Sequence, residues 1–422
     1  MLNDASLKRF DPLGDKLLKP VYADYSFGNI ANTIQYLLTG EKFGPLLPED
    51  CFGGTYPAPE KVVLFFIDAF GWRSWQRYMD RVAPMKRVVE DGVLTPISAL
   101  FPSTTSASVT TLNLGVLPAR HAIYEWTIYI PAYGEVVYPL LFSPLGTDAR
   151  NRCAEKGYDA TALFAVHETV HERLARHGVR SLQFTHQQHL DSAYNLIASR
   201  GAELVPHHTL PQGMLQLRQA VEATSGKACF SLYWPSIDSI AHHYGPHSAF
   251  HEAESLAFWA SFEAILSGMK SPNTLYLFTA DHDQVSARAE DTIYINECWP
   301  ELADILPTSP TGQTIYPNGC PRDLFLHVKP ERRDDTLGIL KRQLDGVAEV
   351  MTIDDALGQG LFGSEPVGAE LRRRLGDILV LAHDGQFVGW REPGLLENHF
   401  GGHHGGLAAN ELISVFGVTD RL

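Results

Sequence analysis

The sequence has few cysteines, and none of them has the spacing of a metal-binding or redox pair. Five occur among 422 residues: Cys51, Cys153, Cys229, Cys298 and Cys320. An odd number without any CxxC spacing argues against a disulfide framework. The composition therefore favours reduced thiols in a cytosolic protein.

The sequence also lacks a secretory leader and a long hydrophobic run. Residues 1–17 do not combine a basic start with an apolar stretch, as a signal peptide does. The apolar runs stay well below the ~20 residues that a transmembrane helix needs. We therefore expect a cytoplasmic protein without a membrane partner.

Positive charge is scarce: 34 Lys and Arg stand against 49 Asp and Glu, a formal net charge of −15. This balance disfavours nonspecific binding to nucleic acid or to an anionic membrane. A small anionic substrate remains allowed, because bound metal ions can reverse the local charge. The length allows one large domain with insertions, and a homo-oligomer remains open.

What the chain does contain is a series of nearly continuous apolar runs, typical of strands buried on both faces of a parallel sheet. They occupy residues 61–67, 228–234, 274–280 and 377–383. Helical patterns separate them, for example at 30–38, 167–178 and 250–269. This alternation predicts an α/β fold with a mostly parallel sheet.

One stretch of the chain is less regular. Residues 285–375 carry turn signals and a basic patch, and we interpret them as an inserted cap. The whole chain, 1–422, is then a single domain.

Acidic residues follow three of the predicted strands. Asp68 comes after FFI, Asp238 after LYWPSI and Asp281 after LFTA, which is where open α/β sheets place their ligands. Histidines accompany them: His242 follows Asp238 at helical spacing, and His282 is adjacent to Asp281.

Together with His404 in GGHHGG, these residues are enough for two metal sites. Mixed carboxylate and imidazole ligands suit zinc. Two such ions about 4 Å apart are a standard device for displacement at phosphorus.

A hydroxyl-rich segment, FPSTTSASVTTL, precedes a predicted helix. A hydroxyl at a helix N-terminus lies beside unpaired N–H groups that suit a phosphate. Thr104 and Thr105 are both candidates, and each could instead be a helix cap. A threonine hydroxyl becomes a good nucleophile only when a metal or a base activates it.

In this order, the motifs resemble the alkaline phosphatase superfamily, and most closely its nucleotide pyrophosphatase/phosphodiesterase branch. The segments that carry the resemblance are DSIAHHYGP, TADHDQV, HHGG and TTSASVTTLNLGVLPARHAI. One departure is Ala122, because many members have glycine after the histidine of that last segment. The resemblance implies a catalytic domain with a three-layer α/β/α fold and an inserted cap. We expect this cap, residues 285–375, to set substrate specificity.

The resemblance also implies two Zn²⁺ ions, with Mn²⁺ as a possible substitute. Their implied ligands are Asp238, His242 and His404 for one ion, and Asp68, Asp281, His282 and Thr105 for the other. His404 is preferred to His403 because the family's histidine directly precedes a glycine.

The family's spacing to Gly115 makes Thr105 the nucleophile, with Thr104 as the alternative. Ser108 stands where the branch usually has an asparagine that binds a phosphoryl oxygen, and we expect Ser108 and Thr104 to contact the substrate. The resemblance implies hydrolysis of phosphodiester or nucleotide pyrophosphate bonds in a small substrate, through a covalent phosphothreonine. A phosphonate hydrolase or phosphomonoesterase using the same site, and an inactive metal-binding relative with a regulatory role, are the alternatives.

Overall fold

The computed structural model describes residues 1–147, 149–363 and 365–422, which form twenty strands and sixteen α-helices. The strands are β1 (Pro12–Leu13), β2 (Leu17–Leu18), β3 (Lys61–Ile67), β4 (Val93–Ser98), β5 (Ile128–Ile130), β6 (Glu135–Tyr138), β7 (Ser143–Pro144), β8 (Arg180–His186), β9 (Glu203–His207), β10 (Ala228–Trp234), β11 (Thr274–Thr279), β12 (Val285–Ser286), β13 (Ile293–Tyr294), β14 (Asn318–Cys320), β15 (Asp323–Leu326), β16 (Ala348–Thr352), β17 (Ile378–Ala382), β18 (Val388–Gly389), β19 (Gly402–His403) and β20 (Ile413–Thr419).

The helices are distributed along the whole chain. They are α1 (Ile30–Thr39), α2 (Trp72–Tyr78), α3 (Ala83–Asp91), α4 (Thr105–Leu114), α5 (Pro118–His121), α6 (Arg152–Glu155), α7 (Val170–Arg176), α8 (Ala193–Ala198), α9 (Leu210–Ala223), α10 (Ser236–Tyr244), α11 (Ala249–Leu266), α12 (Ile295–Cys298), α13 (Arg333–Gln343), α14 (Ile353–Gly358), α15 (Ala369–Arg374) and α16 (Ala409–Leu412). None of the described helices is long and apolar enough to cross a membrane.

Seven strands form the central sheet, in the order β4-β20-β11-β3-β10-β8-β9. The strands from β11 to β9 pair in parallel, whereas β20 runs antiparallel to both β11 and β4. The predicted α/β fold with a mostly parallel sheet is therefore confirmed. Three of the four apolar runs supply its neighbouring strands β11, β3 and β10.

All seven residues of β3 are buried. Alternate side chains of a strand point to opposite faces of the sheet, and here both faces are covered. Residues of β3 divide between two cores, with Val63, Phe65 and Ile67 in one and Val62, Leu64 and Phe66 in the other. Helices α2, α3, α9 and α11 pack in the first core, and α1, α4 and α7 in the second. The result is the expected three-layer arrangement.

The fourth apolar run belongs elsewhere. Strand β17 lies inside a separate antiparallel sheet of order β14-β15-β17-β16. Reading residues 377–383 as a strand of the parallel sheet was therefore wrong. An apolar run shows that a strand is buried but does not identify its neighbours. The predicted boundaries of the cap, 285–375, stay a prediction, and the sheet formed there extends to Ala382 through β17.

Candidate active site

Three carboxylates meet at one edge of the central sheet. Asp68 directly follows β3, Asp281 lies two residues after β11, and Asp238 lies in the first turn of α10 after β10. These strands are adjacent and parallel, with Ile67 paired to Trp234 at their ends. Tertiary structure thus brings together side chains that are more than two hundred residues apart.

The first group of ligand atoms comprises Asp68, Asp281 and His282. The Nε2 atom of His282 lies 3.2 Å from Asp281 Oδ2 and 3.7 Å from Asp68 Oδ1. All three side chains are almost completely buried. Ala69, which has a left-handed φ of 55°, turns its N–H toward Asp281 Oδ1 at 3.3 Å.

The second group lies beside the first. His242 Nε2 lies 3.5 Å from Asp238 Oδ1, and His404 Nε2 lies 3.8 Å from the same oxygen. Helix α10 brings His242 onto the face of Asp238 because residues four apart share a face. His282 is also close enough to join Asp238 and His404 around one point.

Backbone carbonyls determine the tautomer of each histidine. The Nδ1 atoms of His242, His282 and His404 lie 2.7, 3.1 and 2.8 Å from the carbonyl oxygens of Gly402, Asp283 and Ser103, respectively. A carbonyl only accepts, so each Nδ1 carries a hydrogen, and in the neutral ring each Nε2 presents a lone pair. This arrangement is typical of histidines that bind a metal ion.

The residues fit a pair of cations. Asp281 Oδ2 is buried and accepts no hydrogen bond. It lies beside His282 Nε2, at 3.2 Å. Burial, followed by the charges of Asp281 and Asp238, raises the pKa of Asp68 well above its usual range. Burial and the neighbouring His282 and His242 lower the pKa of His404. Carboxylates and imidazole lone pairs this close together are stabilised by a cation between them.

Thr105 is the hydroxyl that faces the ligand groups. Its Oγ1 atom lies 3.4 Å from both carboxylate oxygens of Asp68 and 3.5 Å from His282 Nε2. Thr105 is the first residue of α4, and Gly115 ends that helix with a left-handed φ of 70°. The helix N-terminus favours an anion at this position.

Thr104 has a different role in the structure. Its buried hydroxyl accepts a hydrogen bond from Ala107 N and donates one to Tyr124 O at 2.9 Å. It is therefore the N-cap of α4 and has no free hydrogen for a substrate. Ser108 is completely buried, and it is absent from the cavity lining described below. Its predicted substrate contact finds no support in this position.

His403 and His404 point in different directions. His403 lies in β19, and its Nε2 contacts Asn398 Oδ1 at 2.8 Å. Strand alternation then turns the next residue, His404, toward Asp238. The structure thus brings His404, the histidine that the family resemblance preferred, close to Asp238.

Sequence reasoning missed three residues that position the ligands. Tyr233 donates a hydrogen bond to Asp68 Oδ2 at 2.5 Å, and Gln284 donates one to Asp238 Oδ1 at 2.6 Å. Asp283 accepts from Gly71 N, Arg73 N and Ser74 Oγ, at 2.9–3.1 Å. Only Asp283 and Gln284, which directly follow the Asp281–His282 pair, had a signal in the sequence.

A cavity of about 540 Å³ opens beside Thr105 and both ligand groups. Residues from 125–195 form much of its wall, including Trp126, Leu140, Arg150 and Tyr194. Within the described part of 285–375, only Cys320 lines it. The residues that line the cavity therefore do not support the expectation that residues 285–375 set substrate specificity.

Comparison with known proteins agrees with this geometry. The family model described as type I phosphodiesterase / nucleotide pyrophosphatase matches residues 62–407. The chain belongs to this family. The match spans both ligand groups and helix α4. A search of curated protein sequences found no match to this family member.

Solved structures share the fold of this type I phosphodiesterase family member. An inactive variant of murine ectonucleotide pyrophosphatase/phosphodiesterase 5, in complex with AMP, has a TM-score of 0.62 at 14% identity, over 85% of this chain and 88% of that one. Phosphonoacetate hydrolase from Sinorhizobium meliloti 1021, in complex with phosphonoacetate, has a TM-score of 0.61 at 15% identity, over 88% and 93%. At these identities the likeness shows the alkaline-phosphatase-like fold.

Proposed function

We propose that this chain hydrolyses phosphodiester or nucleotide pyrophosphate bonds in a site that holds two zinc ions, with Thr105 as the nucleophile. The observation that carries the proposal is the position of Thr105 Oγ1, 3.4 Å from both Asp68 oxygens and 3.5 Å from His282 Nε2. One ion would be held by Asp68, Asp281 and His282, and the other by Asp238, His242 and His404. When bound, the cations supply Lewis-acid charge that stabilises the phosphoryl oxygens.

The residues of the chain itself account for two successive displacements. Thr105 Oγ1 attacks phosphorus while its proton is drawn toward the Asp68 carboxylate, and the bond to the leaving oxygen breaks. The phosphoryl group then remains on Thr105 as an ester. Water attacks this ester in the second step and restores the threonine hydroxyl. The N-terminus of α4 favours the charged phosphoryl group throughout.

The cavity supports a substrate with an organic group beside the phosphorus. Trp126 and Phe400 line it, and aromatic rings such as theirs can stack on a nucleobase. Arg150 is the one Lys or Arg among the described lining residues, and its guanidinium suits a second anionic group. The inactive murine variant that shares this fold is bound to AMP. This complex supports nucleotides as the first substrate class to test.

The test compares bis-p-nitrophenyl phosphate, p-nitrophenyl phosphate and phosphonoacetate as substrates. We expect the diester to turn over fastest, EDTA to abolish turnover, and Zn²⁺ to restore it more fully than Mn²⁺. A preference for the monoester or for phosphonoacetate would contradict the proposal and favour one of the alternative hydrolases. A metal-loaded protein without turnover on any of the three, or on nucleotide substrates, would instead indicate a regulatory relative.

A further inference from the structure

Three further ligand-type side chains lie together outside the two groups described above. Glu125, Cys320 and Asp323 each offer one ligand atom, and these atoms are all within 4.8 Å of one another. Glu125 lies in the loop after α5, whereas Cys320 and Asp323 face each other across the turn between β14 and β15. Two separate parts of the chain therefore converge on this cluster.

No basic side chain of the described residues pairs with the two carboxyls of the cluster. Glu125 and Asp323 are 1% and 0% exposed, and neither forms an ion pair with a basic side chain within the residues that the structure describes. The neighbouring Arg322 extends away and pairs with Glu411 at 2.8 Å. A buried carboxylate without a compensating charge is unfavourable.

One buried oxygen in the cluster has no hydrogen-bond partner. Asp323 Oδ1 accepts from Cys320 N and from Cys320 Sγ, at 3.3 and 3.0 Å. Asp323 Oδ2, on the same fully buried side chain, receives no hydrogen bond. Glu125 is equally buried, so two carboxyl groups lie close together out of contact with water.

The loop that carries His404 lies directly against the cluster. A Cβ atom on Gly405, which has a φ of +120°, would lie 2.6 Å from Asp323 Oδ1 and 2.9 Å from Cys320 Sγ. Cys320 Sγ also lies 2.8 Å from His404 O. Only a glycine leaves room for this approach, and Glu125 and Cys320 still line the cavity, which provides a path for an ion.

We propose that Glu125, Cys320 and Asp323 bind a third divalent cation of the zinc class, separate from the two ions at the reaction centre. One thiolate and two carboxylate oxygens form a ligand set that zinc accepts, and the side facing the cavity leaves a fourth position for water. Binding releases the thiol proton and any carboxyl proton to solvent. The bound ion links the loop after α5 to the β14–β15 turn beside His404.

Cobalt substitution tests this site directly, because neither ligand group at the reaction centre contains a cysteine. The full chain is stripped with a chelator and reloaded with Co²⁺, and its near-ultraviolet spectrum is recorded. We expect a thiolate-to-cobalt charge-transfer band in the native protein, and its loss in Cys320→Ser. The matched control Cys298→Ser, which removes an exposed cysteine, should retain the band.

Elemental analysis gives a second measurement. Asp323→Asn, which keeps the size of the side chain, should bind one zinc ion fewer per chain than the native protein. A native protein that binds cobalt without the charge-transfer band would overturn the third site, as would a band that survives in Cys320→Ser. Neither result affects the proposed function, which is judged by diester turnover and by the other two ions.

Discussion

The rings of His282 and His404 are stacked, with 3.6 Å between their centroids and 12° between their planes. His282 belongs to the ligand group of Asp68, and His404 to the group of Asp238. The two ligand groups therefore lie side by side, with these two rings in contact, as two cations acting on one phosphoryl group would require.

Removing the proposed nucleophile should separate catalysis from metal binding. We expect Thr105→Ala to lower diester turnover by about 10³-fold or more, as loss of an enzyme's nucleophile does, while zinc content measured by elemental analysis stays the same. Thr105→Ser, the matched control, keeps a hydroxyl and should retain part of the activity. Near-native turnover by Thr105→Ala would show that another group attacks phosphorus.

The two adjacent histidines of the GGHHGG segment should respond differently to substitution. His404→Ala should lose one zinc ion per chain, because its Nε2 faces Asp238. His403→Ala removes a ring that contacts Asn398 instead, and should lose no zinc. The measurement is zinc content after dialysis, and equal zinc loss in both variants would argue against the assignment of His404.

The hydrogen bond from Tyr233 to Asp68 should strengthen metal binding. Tyr233→Phe removes that donor while preserving the ring, and such partners typically change metal affinity by about 10–100-fold. Titration against a chelator of known affinity measures the change. Tyr56→Phe, which breaks a hydrogen bond to Leu47 O, is the control. An unchanged affinity in Tyr233→Phe would show that the hydroxyl does not position Asp68.

The buried His121 should make the protein sensitive to acid. Burial, with a contribution from Arg374, lowers its pKa to about 3, against ~6.5 in an unfolded chain. The unfolded state therefore binds the extra proton first, so stability is unaffected above pH ~6.5 and falls as the pH drops toward ~3. Between about pH 7 and about pH 5 the loss from this one residue is ~2 kcal/mol.

Urea unfolding of the metal-free protein at these two pH values measures the effect. His121→Gln should show a pH-dependent loss of unfolding free energy that is smaller by ~2 kcal/mol. The exposed His399→Gln should behave like the native protein. If His121→Gln lost as much stability as the native chain, His121 would not be the buried neutral histidine that the structure describes.

Much of the fold was predictable because the decisive signals are local in sequence. Continuous apolar runs marked β3, β10 and β11, and the acids at their ends marked the edge where ligands gather. Ala122 has a left-handed φ of 64°, a conformation for which glycine is usual. The turn that the family makes with glycine is therefore also formed by this alanine. The helix that follows the hydroxyl-rich segment was likewise predicted, and it is α4.

The sequence by itself determined the fold class, the types of ligand and the segment that holds the hydroxyl, since each depends on neighbouring residues and their spacing. Only the tertiary structure decided that β17 joins a second sheet and that residues 125–195 form the cavity wall. It also decided that Thr105 faces Asp68 while Thr104 caps its helix. These outcomes depend on which distant strands pair and where side chains then point, and neither is encoded in local spacing.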